Sequence, residues 1–227
     1  MPYVKTIVCL ANSKKTGGKC VAGREVQASG YGGWIRPVSA RPTAEVWPSE
    51  YRYDSLSYPT LLDVIAITFD HPAPLHHQTE NHVIAASPWR KTGELPWSEL
   101  RNLRDRPSSL WINSDCTRGG INNCISKEEA ATLQDSLVLI KPTEFVLEIG
   151  PDPWTGTGRK YRGRFKFKST HYNLSVTDPA AMRAFGGHPE GDYPLDDVYL
   201  CISLTEPYQA DGRCHKLIAA IITDPLL

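Results

Sequence analysis

Short runs of apolar and polar residues, separated by proline and glycine, fill most of the 227-residue chain. The runs are rich in Val, Ile, Tyr, Phe and Thr, which are enriched in β-strands, and 18 prolines with 17 glycines supply turns between them. The pattern predicts eleven strands, at residues 4–10, 19–27, 34–38, 61–69, 81–85, 137–140, 144–149, 161–168, 171–177, 197–204 and 214–222.

Helical patterning is scarce. Three short segments carry a recognisable start signal, either an early proline or a capping side chain. They are residues 97–104 after Pro96, residues 127–134 with Ser126 and Glu129 as a capping box, and residues 179–185 capped by Asp178.

The predicted strands fall into two groups, and eleven strands exceed one small barrel. Two β-barrels joined by a partly helical connector are the simplest arrangement, because closing each sheet removes exposed strand edges. We assign residues 1–90 to the first barrel, residues 91–136 to the connector with short helices, and residues 137–227 to the second barrel.

Composition narrows the class of protein. Hydrophobic residues make up 41 % of the chain, which excludes a disordered protein. The longest apolar runs are far shorter than the roughly 20 residues of a membrane span, and the chain does not begin with a signal-peptide pattern. We therefore expect a soluble, cytoplasmic protein without a membrane partner. The six cysteines contain no C-x-x-C pair, so we predict no metal site and no cofactor.

The formal net charge is zero, but the charges are segregated along the chain. Residues 1–42 carry seven basic side chains and one acidic one, and residues 151–177 carry six basic side chains and one acidic one. The remaining segments carry the compensating acids. If the two basic segments form local positive surfaces, they favour an anionic partner. Two separate solvated faces are the alternative interpretation.

The sharpest local signal is RKYRGRFKFK at residues 159–168. Because side chains alternate between the two faces of a strand, the aromatic residues share one face and the cations share the other. A cationic row repels itself unless anions or acids compensate, so we predict an anion-binding face. Pairing with acids such as Asp196 and Asp197 is the alternative. Trp154, in the preceding WTGTG loop, is a candidate for base stacking. The cations predicted to face outward are Lys160, Arg162, Arg164, Lys166 and Lys168.

The N-terminal segment supplies two further candidate contacts. Lys14 and Lys15 lie in a predicted loop, residues 11–18, whose glycines permit close approach of a phosphate. Trp34 and Arg36 share a face of the predicted strand 34–38, where an indole and a guanidinium combine stacking with phosphate binding. A plain polar hairpin and a Trp covered by an Arg stem are the respective alternatives.

No catalytic motif is evident, and we predict no catalytic residues. The seven histidines do not cluster at ligand spacing, and G-x-S-x-G and H-E-x-x-H motifs are absent from the sequence. An enzyme acting on a nucleic acid or nucleotide would need His171, Asp178 and Glu206 to converge on one pocket.

Seven segments together resemble the prokaryotic dual OB-containing domain family, over nearly the whole chain. The resemblance implies a mainly β fold with two small OB-like β-barrels, and a role in sensing nucleic acids or nucleotides, often beside defence systems. It brings no catalytic residues. The segments are VCLANSKKTGGKCVAG (8–23), GGWIRPVS (32–39), LLDVIAI (61–67), HHQTEN (76–81), YNLSVTDP (172–179), YLCISLTEPY (199–208) and HKLIAAII (215–222).

The residues and the resemblance together predict a module that binds or senses a nucleic acid or nucleotide, with single-stranded nucleic acid favoured. The predicted contacts are Lys14, Lys15, Trp34, Arg36, Trp154, Lys160, Arg162, Arg164 and Lys166. Two alternatives remain: an enzyme acting on such a ligand, and an adaptor whose positive face binds an acidic protein partner.

Overall fold

The computed structural model describes residues 1–15, 17–113, 115–152 and 158–227. Within these ranges the helices are short: a 3₁₀ turn at Trp97–Glu99 continues into α1 (Leu100–Leu103), and α2 (Lys127–Ala130) and α3 (Pro179–Ala184) follow. None of the helices in the described residues is long and apolar enough to cross a bilayer. The strands are β1 (Tyr3–Lys15), β2 (Gly18–Gln27), β3 (Gly30–Val38), β4 (Asp63–Pro72), β5 (Asn81–Ile84), β6 (Arg90–Glu94), β7 (Cys124–Ile125), β8 (Leu137–Ile140), β9 (Thr143–Pro151), β10 (Arg159–Phe167), β11 (Thr170–Val176), β12 (Gly191–Pro194), β13 (Tyr199–Pro207) and β14 (Cys214–Ile222).

The chain forms two compact units, Met1–Leu103 and Arg104–Leu227. The segment that we predicted as a connector, residues 91–136, is therefore divided between them. Strand β6 pairs with β4 of the first unit, and α2 lies in the second unit.

The first unit is built on a closed ring of five strands. Strand β1 pairs with β2 along one edge and with β4 along the other, and β3 and β5 complete the order β1-β2-β3-β5-β4. The β3–β5 pairing is parallel and all other pairings of the ring are antiparallel. Apolar side chains from the ring, from the segment that follows β3 and from the β5–β6 connection form one core, which includes Ile7, Val21, Ile35, Tyr53 and Trp89.

The second unit repeats this strand path. Its sheet runs β12-β9-β10-β11-β14-β13-β8, and β11–β14 is again a parallel pairing. Strands β8 and β9 are separated only by Lys141 and Pro142, so together they act as one interrupted strand that pairs with β13 at one end and with β10 at the other. Proline has no backbone N–H for the ladder, which explains the interruption at this point.

All eleven predicted strands overlap strands of the structure, although several ends are shifted. The prediction of a loop at residues 11–18 is wrong, because β1 continues to Lys15 and pairs Lys14 with Lys19 of β2. Three strands were missed: β6, β7 and β12. They lack an alternating apolar pattern, and their pairing depends on edges offered by distant strands. The predicted capping box of Ser126 with Glu129 is confirmed.

The core of the second unit contains the aromatic side of β10. Phe165 is 3 % exposed. Its ring centroid lies 5.3 Å from that of Tyr172 and 6.4 Å from that of Phe145. Tyr161 and Phe167 belong to the same core cluster. The alternation read from the sequence therefore places the aromatic residues of β10 correctly.

We expect Phe165→Ala to lower the free energy of unfolding by about 3 to 5 kcal/mol, because it leaves a cavity among packed rings. Tyr208→Ala is the control, since this ring is 60 % exposed, and we expect it to cost less than about 1 kcal/mol. Urea unfolding followed by tryptophan fluorescence measures both. Equal losses in the two variants would contradict the assignment of Phe165 to the core.

Candidate nucleic-acid interface

The outward side of β10 does not present the uniform row of five solvated cations that we predicted. The sheet places Lys160, Arg162 and Arg164 opposite the aromatic side, with β9 and β11 on either flank. Their surroundings differ from one residue to the next: Arg162 is buried, Lys160, Arg164 and Lys166 are half-buried, and Lys168 beyond the strand is exposed.

Arg164 is neutralised by two acids. Its Nε lies 3.3 Å from Oε2 of Glu148 on β9, and its Nη2 pairs with Asp192 on β12. Pairing with acids was the alternative interpretation of this strand, although the acids we named were Asp196 and Asp197. Asp197 instead pairs with Lys141. Arg164 therefore contributes little net positive charge to the surface.

Arg162 is 8 % exposed and lies beneath a turn at residues 117–120. Its Nη2 donates to the carbonyl oxygen of Arg118 at 3.4 Å, and its Nη1 has no hydrogen-bond partner among the described residues. Gly119 lies over the guanidinium with φ +75°, a conformation that favours glycine. Burial lowers the pKa of Arg162, while Glu148 and Asp152 raise it. The structure thus holds a guanidinium that is partly desolvated and incompletely hydrogen-bonded.

Three further cations lie along the strand and in the turn. Lys160 is the next outward residue before Arg162, Lys166 lies beyond Arg164, and Arg118 belongs to the turn itself. Burial lowers the pKa of Lys160, neighbouring Arg162 lowers it further, and Asp152 raises it. Lys160, Lys166 and exposed Arg118 form no ion pair with any residue that the structure describes. We call the set Lys160, Arg162, Lys166 and Arg118 the cationic face. Lys160 and Arg162 repel each other, and a nearby anion would relieve that repulsion.

Arg118 was not predicted from the sequence, and it lies far from β10 in the chain. Its turn is anchored by Asn123, whose Oδ1 accepts from the Thr117 backbone N–H at 2.9 Å and whose Nδ2 donates to Thr117 Oγ1 at 2.6 Å. The tripeptide Arg118-Gly119-Gly120 was the available signal, because paired glycines mark a tight turn that carries an arginine.

The prediction of Arg36 as a phosphate-binding residue of an open face does not agree with the structure. Arg36 is 4 % exposed, and its Nη2 lies 3.0 Å from Oε1 of Glu80, which is 6 % exposed. The parallel pairing of β3 with β5 places Arg36 opposite Asn81 and so brings Glu80 beside it. This buried ion pair ties β3 to the segment that precedes β5.

The other N-terminal candidates occupy two places in the first unit. Lys14 is exposed and Lys15 is half-buried at the end of the β1–β2 hairpin, with Lys14 opposite Lys19. Trp34 is half-buried on β3, and the guanidinium carbon of Arg24 lies 5.3 Å from its ring centroid. Trp154 lies outside the described residues.

The enzyme alternative needs His171, Asp178 and Glu206 in one pocket, but Asp178 has a structural role. Asp178 is 2 % exposed, its Oδ1 accepts from the backbone N–H of Ala180 at 2.8 Å, and its Oδ2 accepts from that of Ile221 at 2.9 Å. It caps α3 and ties it to β14. Within the described ranges, no group of three His, Cys, Asp or Glu side chains is arranged to hold a metal ion.

Lys216 is a buried lysine that the sequence did not single out. It is 1 % exposed, and burial lowers its pKa to about 8. Its Nζ donates to the carbonyl oxygen of Ile112 at 2.7 Å and to Oδ1 of Asn113 at 2.9 Å, and lies 5.6 Å from the ring centroid of Tyr172. These contacts make it an anchor between β14 and the segment around residues 112–113.

Each unit is a five-stranded ring in which two strands are parallel, and the second carries a cationic surface on its central strands. This arrangement is that of an OB-fold, whose strands 2 and 3 and adjoining loops form the ligand-binding surface of the class. A family model described as the dual OB-containing domain matches residues 5–221, and the chain belongs to this family. Neither a curated protein nor a solved structure matches it.

We expect Arg162→Glu to lower the free energy of unfolding by at least about 2 kcal/mol, because it buries an unpaired carboxylate near Glu148 and Asp152. Lys166→Glu, on the half-exposed part of the same strand, is the matched control and should change it by about 0.5 kcal/mol. Urea unfolding of both variants tests this difference. If Arg162→Glu is as stable as Lys166→Glu, the guanidinium is not buried.

The lowered pKa of Lys216 predicts a pH dependence of stability. Between pH 8 and the ordinary lysine pKa, the unfolded chain binds the proton that the folded chain has lost, so stability from this group rises with pH. We expect the wild type to gain about 2 kcal/mol relative to Lys216→Met between about pH 7 and pH 9.5. Urea unfolding at both pH values measures this difference. Parallel stability profiles for the two proteins would show that Lys216 keeps an ordinary pKa.

Proposed function

We propose that the protein binds single-stranded nucleic acid, or a nucleotide, on the cationic face of the second unit. The observation that carries this proposal is that Lys160 and Lys166 form no ion pair with any residue that the structure describes, on the strand whose Arg162 adds a partly desolvated positive charge. These side chains lie on the second strand of an OB-type ring, and that surface binds oligonucleotides in other OB-folds. The fold supports the proposal by analogy only, and the charges of the site support it independently.

Electrostatics explain why the ligand is an anion with regularly spaced charges. The cations of β10 that face outward repeat every second residue, about 7 Å apart along the strand. A phosphate backbone that follows the strand can meet successive cations and release its counterions. Arg164 lies between Arg162 and Lys166 but is already paired with Glu148 and Asp192, so it interrupts the row of unpaired cations.

Bases require stacking surfaces in addition to cations. The sequence predicts Trp154, which lies outside the described residues, as a stacking residue, and we propose that its indole stacks on a base. Trp34 is one weaker candidate contact on the first unit, and Lys14 with Lys15 is another. A module with two such units suits the sensing role that the family resemblance implies.

We expect fluorescence polarisation to detect binding of a short labelled single-stranded oligonucleotide. With four phosphates neutralised at a slope near −0.7 each, affinity falls roughly fifty-fold between about 50 and 200 mM salt. Lys160→Gln with Lys166→Gln should reduce the slope of log affinity against log salt by about 1.4. The control double variant is Lys127→Gln with Arg183→Gln, two exposed cations in the same unit but outside the cationic face.

An affinity that does not change with salt concentration would refute the electrostatic part of the proposal. Equal slopes of log affinity against log salt for the two double variants would also refute it. Duplex DNA and polyglutamate serve as competitors. Displacement by polyglutamate as effective as displacement by the unlabelled oligonucleotide would favour an acidic protein partner over a nucleic acid.

A further inference from the structure

A depression of about 320 Å³ lies at the end of the second ring, where β10 finishes and β8 gives way to β9. It shares no residue with the cationic face. Three segments far apart in the sequence meet there: residues 104–106, the junction between β8 and β9, and the turn between β10 and β11. The lining residues are Arg104, Asp105, Arg106, Lys141, Thr143, Phe167 and Lys168.

Four cations and one carboxylate line this depression, and the carboxylate has a structural role. Oδ2 of Asp105 accepts from the backbone N–H of Leu139 at 2.8 Å, and the Asp105 N–H donates to the Leu139 carbonyl at the same distance. Asp105 thereby ties its segment to β8. The Lys141 ammonium forms an ion pair with Asp197, and its Nζ lies 5.2 Å from the ring centroid of Tyr199.

The two arginines are not neutralised by the described residues. Nε of Arg104 is buried without a hydrogen-bond partner there, and neither Arg104 nor exposed Arg106 forms an ion pair with them. Guanidinium groups suit phosphate oxygens because their donors form a planar fork. Lys168 adds a third cation, and its backbone has φ 54°, a conformation that lysine seldom adopts.

The apolar wall of the depression and its volume indicate what kind of group accompanies the phosphate. The ring of Phe167 and the aliphatic stems of the arginines offer apolar surface beneath the charged groups. The volume lies at the lower end of the range for small-molecule sites. We propose that this depression binds a phosphate monoester of about nucleotide size, with the phosphate at Arg104, Arg106 and Lys168 and the apolar part against Phe167.

A phosphate monoester can come from a free nucleotide or from the phosphorylated end of a strand. Isothermal titration with adenosine 5′-monophosphate and with inorganic phosphate tests the first source. Polarisation with an oligonucleotide of about ten nucleotides, prepared with either a 5′-phosphate or a 5′-hydroxyl, tests the second. Tighter binding of the phosphorylated strand, or direct binding of the monophosphate, supports the proposal and identifies the source.

Arg104→Gln with Arg106→Gln should weaken binding of the phosphate monoester about tenfold or more, because two charge-assisted contacts are lost. Arg183→Gln is the control, an exposed arginine of the same unit that should leave binding unchanged. Lys168→Gln provides a second test, with an expected loss of several-fold, if the double variant has a lowered melting temperature. The 5′-hydroxyl strand should bind the double variant as it binds the wild type, which separates this site from the cationic face.

The proposal is overturned if neither the monophosphate, inorganic phosphate nor the strand's 5′-phosphate contributes to binding by the wild type. It is also overturned if the folded double variant and Lys168→Gln bind the phosphate monoester as tightly as the wild type.

Discussion

Closure of each sheet into a ring is the constraint on which the rest of the structure depends. Strand β1 uses both of its edges, one for β2 and one for β4, and β8 with β9 does the same in the second unit. A strand in such a ring has no free edge, so its side chains either fill the interior or form the outer surface.

The alternation of side chains gives β10 a core side and an outward side, and neighbouring strands and turns then modify the outward side. Glu148 and Asp192 enter from β9 and β12 and neutralise Arg164. The turn at residues 117–120 covers Arg162 and brings Arg118 close to it. The charge that is left for a ligand is smaller than the sequence count suggests, but it is concentrated in one place.

Local sequence patterns predicted the strands well because the alternation of apolar and polar side chains is a property of each strand by itself. Phe165 and Tyr161 were placed correctly for this reason. Arg36 was misassigned because its partner, Glu80, comes from a distant segment that the parallel β3–β5 pairing brings alongside. The same reason explains why Arg118 was missed: its position beside Arg162 depends on tertiary contacts of a turn 44 residues away.

We propose that an anionic strand binds on the cationic face, on the second strand of the second ring. Backbone amide chemical shifts of the labelled protein, followed during titration with a single-stranded oligonucleotide, locate the binding surface. We expect the largest changes on β10, β11 and the turn at residues 117–120. Largest changes confined to the first unit, or changes without preference for either unit, would contradict it.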